Sequence, residues 1–183
     1  MVYHLQMLKT YEFYKEFNLN LNSVLKEINQ EDYNSFVNLL KNSKKNNIYF
    51  FGNGGSSSIS SHVSVDFLNI GYKSINFNDH NLITCLSNDF GYENWIIRSL
   101  QNHANKNEIL ILISSSGMSK NIIKAAKFAK KKKMKIITFS GFKSNNSLRK
   151  LGDINFWVNS TSYNIVEMAH HIILVSVIDF LKK

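Results

Sequence analysis

At 183 residues, with 44% hydrophobic and 13% aromatic side chains, the chain has the length and apolar content of one ordinary domain with a proper core. Its 22 Lys and Arg against 13 Asp and Glu give a formal charge of +9, which raises nucleic acid as a partner, while a single cysteine, Cys85, excludes an internal disulfide. No stretch approaches the roughly 20 apolar residues that cross a bilayer: the greasiest, 172–181, is interrupted by Ser176 and Asp179, and the N-terminus lacks the order of a signal peptide. A cytoplasmic chain without a membrane partner is expected.

Residues 2–45 carry apolar side chains at helical spacing: Leu5, Leu8, Phe13, Phe17, Leu21, Leu25 and Ile28, then Phe36, Val37, Leu39 and Leu40. Two or three N-terminal helices without chemistry are predicted there. Short apolar runs follow at 48–51, 74–77, 109–113, 135–139 and 153–158, separated by helix-length segments. Strands alternating with helices predict an α/β fold in which a parallel five-stranded sheet is covered on both faces. No repeat, linker or composition break divides the chain, so it reads as one domain over 1–183, with N-terminal helices over 1–45 and the sheet core and a last helix over 46–183. The one dense basic run, 130–133, sits where a helix starting near Ser119 should end. Cations favour that end of the helix dipole, so the run reads as solvated surface and argues against nucleic acid. The diffuse positive charge can still steer anionic ligands.

Two serine-rich loops carry the chemistry. Gly52-Asn53-Gly54-Gly55-Ser56-Ser57-Ser58 and Ser114-Ser115-Ser116-Gly117-Met118-Ser119 each follow an apolar run and each open a stretch patterned like a helix. Free N–H groups at a helix start and serine hydroxyls suit a phosphomonoester, and in parallel sheets ligands bind beyond the carboxyl ends of the strands. The first loop has Ser57 where a dinucleotide fingerprint needs its third glycine, and no G-x-x-x-x-G-K-[ST] occurs, so no nucleotide cofactor is expected. Serine hydrolase chemistry lacks its G-x-S-x-G elbow.

The series Phe51-Gly52-Asn53-Gly54-Gly55-Ser56, Ser87-Asn88-Asp89-Phe90-Gly91 and Ser114-Ser115-Ser116-Gly117-Met118-Ser119, with Asn121-Ile122 following, resembles the sugar isomerase (SIS) family and, within it, the phosphoheptose isomerase group. The resemblance runs over essentially the whole chain. It implies a three-layer αβα fold and interconversion of sedoheptulose 7-phosphate with its aldose isomer through an enediol. It also implies a homotetramer with sites near subunit junctions. By position, Ser56, Ser114, Ser116 and Ser119 match residues that hold the phosphate, Asn53 and Ser115 line the sugar chain, and Asp89 lies near the substrate hydroxyls.

Isomerisation needs a base to take a proton from carbon and an acid or metal to steady the enediolate. His62 and Asp66 are one turn apart on one helix face, at positions where the family has His and Glu and where some members bind zinc. The last helix departs from the family's Asp, Gln and His, placing Asn164, Glu167 and Val175 at those positions. Glu167 and His171 share a face, so His171 or His170 is expected to take over proton transfer, with Glu167 as carboxylate partner and Asp66 as base. His62, Asp66, Glu167 and His171 could together hold a zinc ion. The plainer reading makes each histidine a packed or capped residue and His62–Asp66 a surface pair. An alternative function follows from the altered positions: a non-catalytic phosphosugar-binding sensor or assembly protein.

Overall fold

The computed structural model describes residues 2–183, with side chains from residue 9 onward, so Leu5 and Leu8 of the helical pattern lie outside the described side chains. Two helices precede the sheet: α1 (Val2–Lys26) and α2 (Gln30–Asn42). Asn29 separates them by accepting the N–H groups of Glu31 and Asp32 on its side-chain oxygen, at 2.7 and 3.0 Å, which satisfies two donors that a helix start leaves open.

All five apolar runs become strands: β1 (Asn47–Phe51), β2 (Lys73–Asn76), β3 (Ile109–Ser114), β4 (Lys135–Ser140) and β5 (Ile154–Trp157). They form one parallel sheet in the order β2-β1-β3-β4-β5. Between them lie α3 (Gly55–Asn69), α4 (His80–Phe90), α5 (Trp95–Gln101) and α6 (Lys120–Lys132), and α7 (Tyr163–Leu181) follows β5.

Strand alternation sorts the core into two layers. Ile48, Phe50, Ile109, Ile111, Ile113, Ile137 and Phe139 pack with α2, α3 and α7, while Tyr49, Phe51, Leu110, Leu112 and Ile136 pack with α5 and α6. Burial of each such side chain contributes about 1.5–3 kcal/mol, so the central strand β3, buried along its whole length, anchors both layers.

Two details bear on the sequence reading. The basic run closes α6 as the dipole argument requires, with Lys130, Lys131 and Lys132 in the last turn and Lys133 in the left-handed region at φ 59°. Helix α7 is longer than the 172–181 stretch: its 19 residues, at mean hydropathy 1.5, match a membrane span by length and composition alone. Much of its apolar surface is instead committed to the core, while Met168, Ile172 and Phe180 stay exposed. Ile173, Leu174, Val177 and Ile178 pack toward the sheet, and Ile165, Val166 and Ala169 pack against Val24 of α1.

At the amino edge of the sheet the nearly buried Glu108 carboxylate accepts from Asn47 (2.7 Å), the Tyr49 hydroxyl (3.1 Å) and the Asn105 N–H (2.6 Å). Burial, and then the Glu108 charge, push the Tyr49 hydroxyl up to about 12. This cluster is far along the strands from the serine loops and fixes β1 to β3.

Candidate functional site

The strand order reverses direction between β1 and β3, and the helices that follow these neighbours leave to opposite faces of the sheet. The two connecting loops therefore part, and a crevice opens between them at the carboxyl end. It is a cavity of about 130 Å³ lined by Asn53, Ser56, Ser114, Ser115, Ser116, Ser119, Tyr163 and Glu167. Two larger depressions, about 430 and 490 Å³, open along α1 and beside α2 and α7, away from the serines.

Donors converge on this cup. Ser56, Ser114 and Ser115 are almost fully buried. The Ser114 hydroxyl donates to that of Ser119 at 3.2 Å, and the Ser116 hydroxyl accepts the Met118 N–H at 3.2 Å, which bends the loop inward. Gly54 caps α3 without a side-chain hydrogen bond; Ser57 and Ser58 donate their N–H groups back to the Gly54 carbonyl at 2.9 and 3.1 Å, which leaves the first N–H groups of the helix, at Gly55 and Ser56, without a helical acceptor. The Glu167 carboxylate closes the wall: Oε1 accepts from the Ser115 hydroxyl at 3.4 Å, and Oε2 would lie 2.1 Å from a Cβ on Gly55. A side chain at Gly55 would make the carboxylate swing aside.

Asn53 is held by a cyclic amide pair across the crevice. Its Nδ2 donates to Asn121 Oδ1 (3.0 Å), Asn121 Nδ2 donates to its Oδ1 (2.9 Å), and the Tyr92 hydroxyl donates to the same Oδ1 (3.0 Å). The Ile122 N–H also donates to Asn121 Oδ1 at 3.0 Å. A backbone N–H can only donate, so it sets the orientation of Asn121 and, through it, of Asn53. Glu93, pairing with Lys120 (3.1 Å) and Lys124 (2.9 Å), ties the Tyr92 segment to the start of α6. Hydrogen bonds from those lysines hold the Glu93 carboxyl below the usual carboxylate range.

A second cluster lies where α3 packs on α7. His171 Nε2 is 2.8 Å from His62 Nδ1, and His62 Nε2 is 3.4 Å from Asp66 Oδ2. One ring must donate and the other accept, so the three groups form a relay with a shared proton. Burial, then the neighbouring His62 charge, lowers the His171 pKa, against a raising effect from Asp66.

The structure thus brings together Asn53, Ser56, Ser114, Ser115, Ser116, Ser119 and Glu167 in the cup, and His62, Asp66 and His171 in the relay. Asp89 stands apart at the exposed end of α4, where it accepts from Asn88 at 3.0 Å, and Asn164 is exposed at the start of α7. His170 is a core residue: fully buried, it donates from Nε2 to the Ser140 carbonyl at 3.1 Å, and burial lowers its pKa to about 4. Val175 is half-buried and packs on the sheet-side core. Tyr92, Asn121 and Tyr163 join the site without having been assigned a role from sequence. Asn121 alone carried a signal, because it lies two positions after the second loop.

Of the four side chains considered for zinc, His62, Asp66 and His171 lie together in the relay and Glu167 stands outside it. His62 directs both ring nitrogens to protein partners, Glu167 turns to Ser115, and no group of three or more His, Cys, Asp or Glu among the described residues could hold a metal ion.

A donor-lined cup at the switch point of a doubly wound parallel sheet defines an α/β protein with a ligand site at the carboxyl ends of its strands. The SIS domain family model matches residues 12–141. The phosphoheptose isomerase of Buchnera aphidicola subsp. Acyrthosiphon pisum (strain Tuc7) is 34% identical over 146 residues, covering 75% of this chain and 73% of that one. Phosphoheptose isomerase 2 of Campylobacter jejuni subsp. jejuni is 36% identical over 129 residues, covering 67% and 64%. Among solved structures, phosphoheptose isomerase GmhA from Neisseria gonorrhoeae superposes with a TM-score of 0.87 at 20% identity, over 97% of this chain and 98% of that one. The chain belongs to the SIS domain family and, within it, to the phosphoheptose isomerase group.

Proposed function

We propose that this protein is a cytoplasmic aldose–ketose isomerase of phosphorylated sugars, acting on sedoheptulose 7-phosphate to give D-glycero-D-manno-heptose 7-phosphate, or on a close relative. The observation that carries the reading is the convergence of both serine loops on one cup, in a chain of the phosphoheptose isomerase group. Ser56, Ser114, Ser116 and Ser119 take the phosphate together with the first turn of α3. Asn53 and Ser115 hold the adjoining sugar chain, with Asp89 and Asn164 as outer contacts.

In the reaction a base removes the proton from the hydroxyl-bearing carbon next to the carbonyl, an enediol forms, and the proton returns to the neighbouring carbon. Asp66 and His171, joined through His62, are the proposed base and acid. Glu167, one turn before His171, marks the path from cup to relay over about 6 Å of helix. A homotetramer with the site near a subunit junction is part of the proposal. Exposed Val65, Leu68, Met168 and Ile172, on the two helices that carry the relay, support burial of this face against another subunit.

The test is solvent-proton exchange at the carbon beside the carbonyl of sedoheptulose 7-phosphate. Exchange is expected in the wild-type protein and should fall by about a hundredfold or more in Asp66→Asn. Tight binding of the sugar phosphate with no exchange in the wild type would replace this reading by the non-catalytic sensor.

A further inference from the structure

A cup built for an anion contains an anion of its own. Glu167 lines the same cavity as Ser56, Ser114, Ser115, Ser116 and Ser119, and its carboxylate lies against Gly55 in the first turn of α3. No lysine, arginine or histidine among the described residues forms an ion pair with it. Its side-chain hydrogen bond comes from the Ser115 hydroxyl, at a long 3.4 Å. The carboxylate therefore keeps lone pairs directed at the cavity and a charge offset only by the helix start.

A ligand entering the cup meets two opposed demands. The serine hydroxyls and first-turn N–H groups attract its negative charge, while Glu167 repels that charge and calls for hydrogen-bond donors beside it. Free inorganic phosphate satisfies the first demand and violates the second, because at neutral pH it brings charge with few donors. A phosphate ester on a polyhydroxylated chain satisfies both. Its headgroup sits among the serines, and the hydroxyls on the adjoining carbons donate to Glu167 in place of Ser115.

We infer that Glu167 is a specificity-determining residue that selects phosphate esters of polyhydroxylated chains over inorganic phosphate. The inference rests on the proposed phosphosugar reading of the cup and assigns Glu167 a role that acid–base chemistry does not require. Discrimination of this kind combines attraction of the right ligand with a repulsive element against the wrong one.

Calorimetric titration of the wild type and of Glu167→Gln with inorganic phosphate and with sedoheptulose 7-phosphate tests it. In Glu167→Gln, inorganic phosphate should bind about fivefold tighter or more, while the sugar phosphate binds equally or more weakly. The ratio of the two affinities then falls by about fivefold or more. Glu167→Ala is the second variant, with the same direction expected, so one misfolded protein does not decide the matter. Equal tightening of both ligands, or weakening of both, overturns the selector role and leaves the phosphosugar reading standing. Failure of the wild type to bind the sugar phosphate overturns both.

Discussion

Asn53 has two N–H donors and two acceptor lone pairs on its side chain, and three of these four are taken by Asn121 and Tyr92. What remains for a ligand is one N–H, so Asn53 can only donate to it. That suits an oxygen that carries or develops negative charge. Asn121→Ala removes both bonds of the pair and frees the Asn53 amide to turn. The dissociation constant for the sugar phosphate should rise about tenfold, with Tyr92→Phe, which removes one bond, giving a smaller rise. Unchanged affinity in both variants would show that the fixed amide has no part in binding. Spacing could not have revealed this arrangement. Tyr92 lies 39 positions from Asn53, and His62 lies 109 from His171, so each contact is made by the fold and by nothing local in the chain. The serines were legible because each loop packs its donors into a few consecutive positions.

Among the elements, the strands were the most legible, because each apolar run is short and ends at Gly, Asn or Ser; only the segment between β4 and β5, expected to be of helix length, forms a loop with a single 3-10 turn at Arg149–Leu151 instead of a helix. Helix α7 was the least legible. Its first half holds Glu167, His170 and His171 among apolar residues, and only packing decides that His170 enters the core while His171 meets α3. The contact between α3 and α7 at Gly55 makes a prediction that departs from helix propensity. In an exposed helix Gly→Ala stabilises by about 1 kcal/mol. Here the added carbon would sit 2.1 Å from Glu167 Oε2 and displace the carboxylate or the helix start. Gly55→Ala should therefore forgo that gain in melting temperature, because the carboxylate has to swing aside, and weaken sugar-phosphate binding; a full gain in melting temperature with binding intact would refute the close approach.

For the whole molecule, His170 links stability to pH. Its pKa is about 4 in the folded protein against 6.5 for the free side chain, lowered by complete burial and only partly restored by the Ser140 carbonyl. The unfolded chain binds the proton more readily, so the contribution is fully present above pH 6.5 and is lost as pH falls toward 4. The cost over that window is about 3 kcal/mol, an order-of-magnitude figure. Denaturant melts at pH 7 and pH 5 should show the loss in the wild type and a smaller one in His170→Gln, which can still donate to Ser140 but does not titrate. An equal loss in both proteins would place the acid sensitivity elsewhere.

The crevice between β1 and β3 has one more consequence at this scale. Its two walls belong to helices on opposite sides of the sheet, so a molecule gripped by both acts as a rivet through halves that otherwise communicate across strand backbones. Breathing of either half loosens the grip, and release is then governed by how firmly the interior itself is packed.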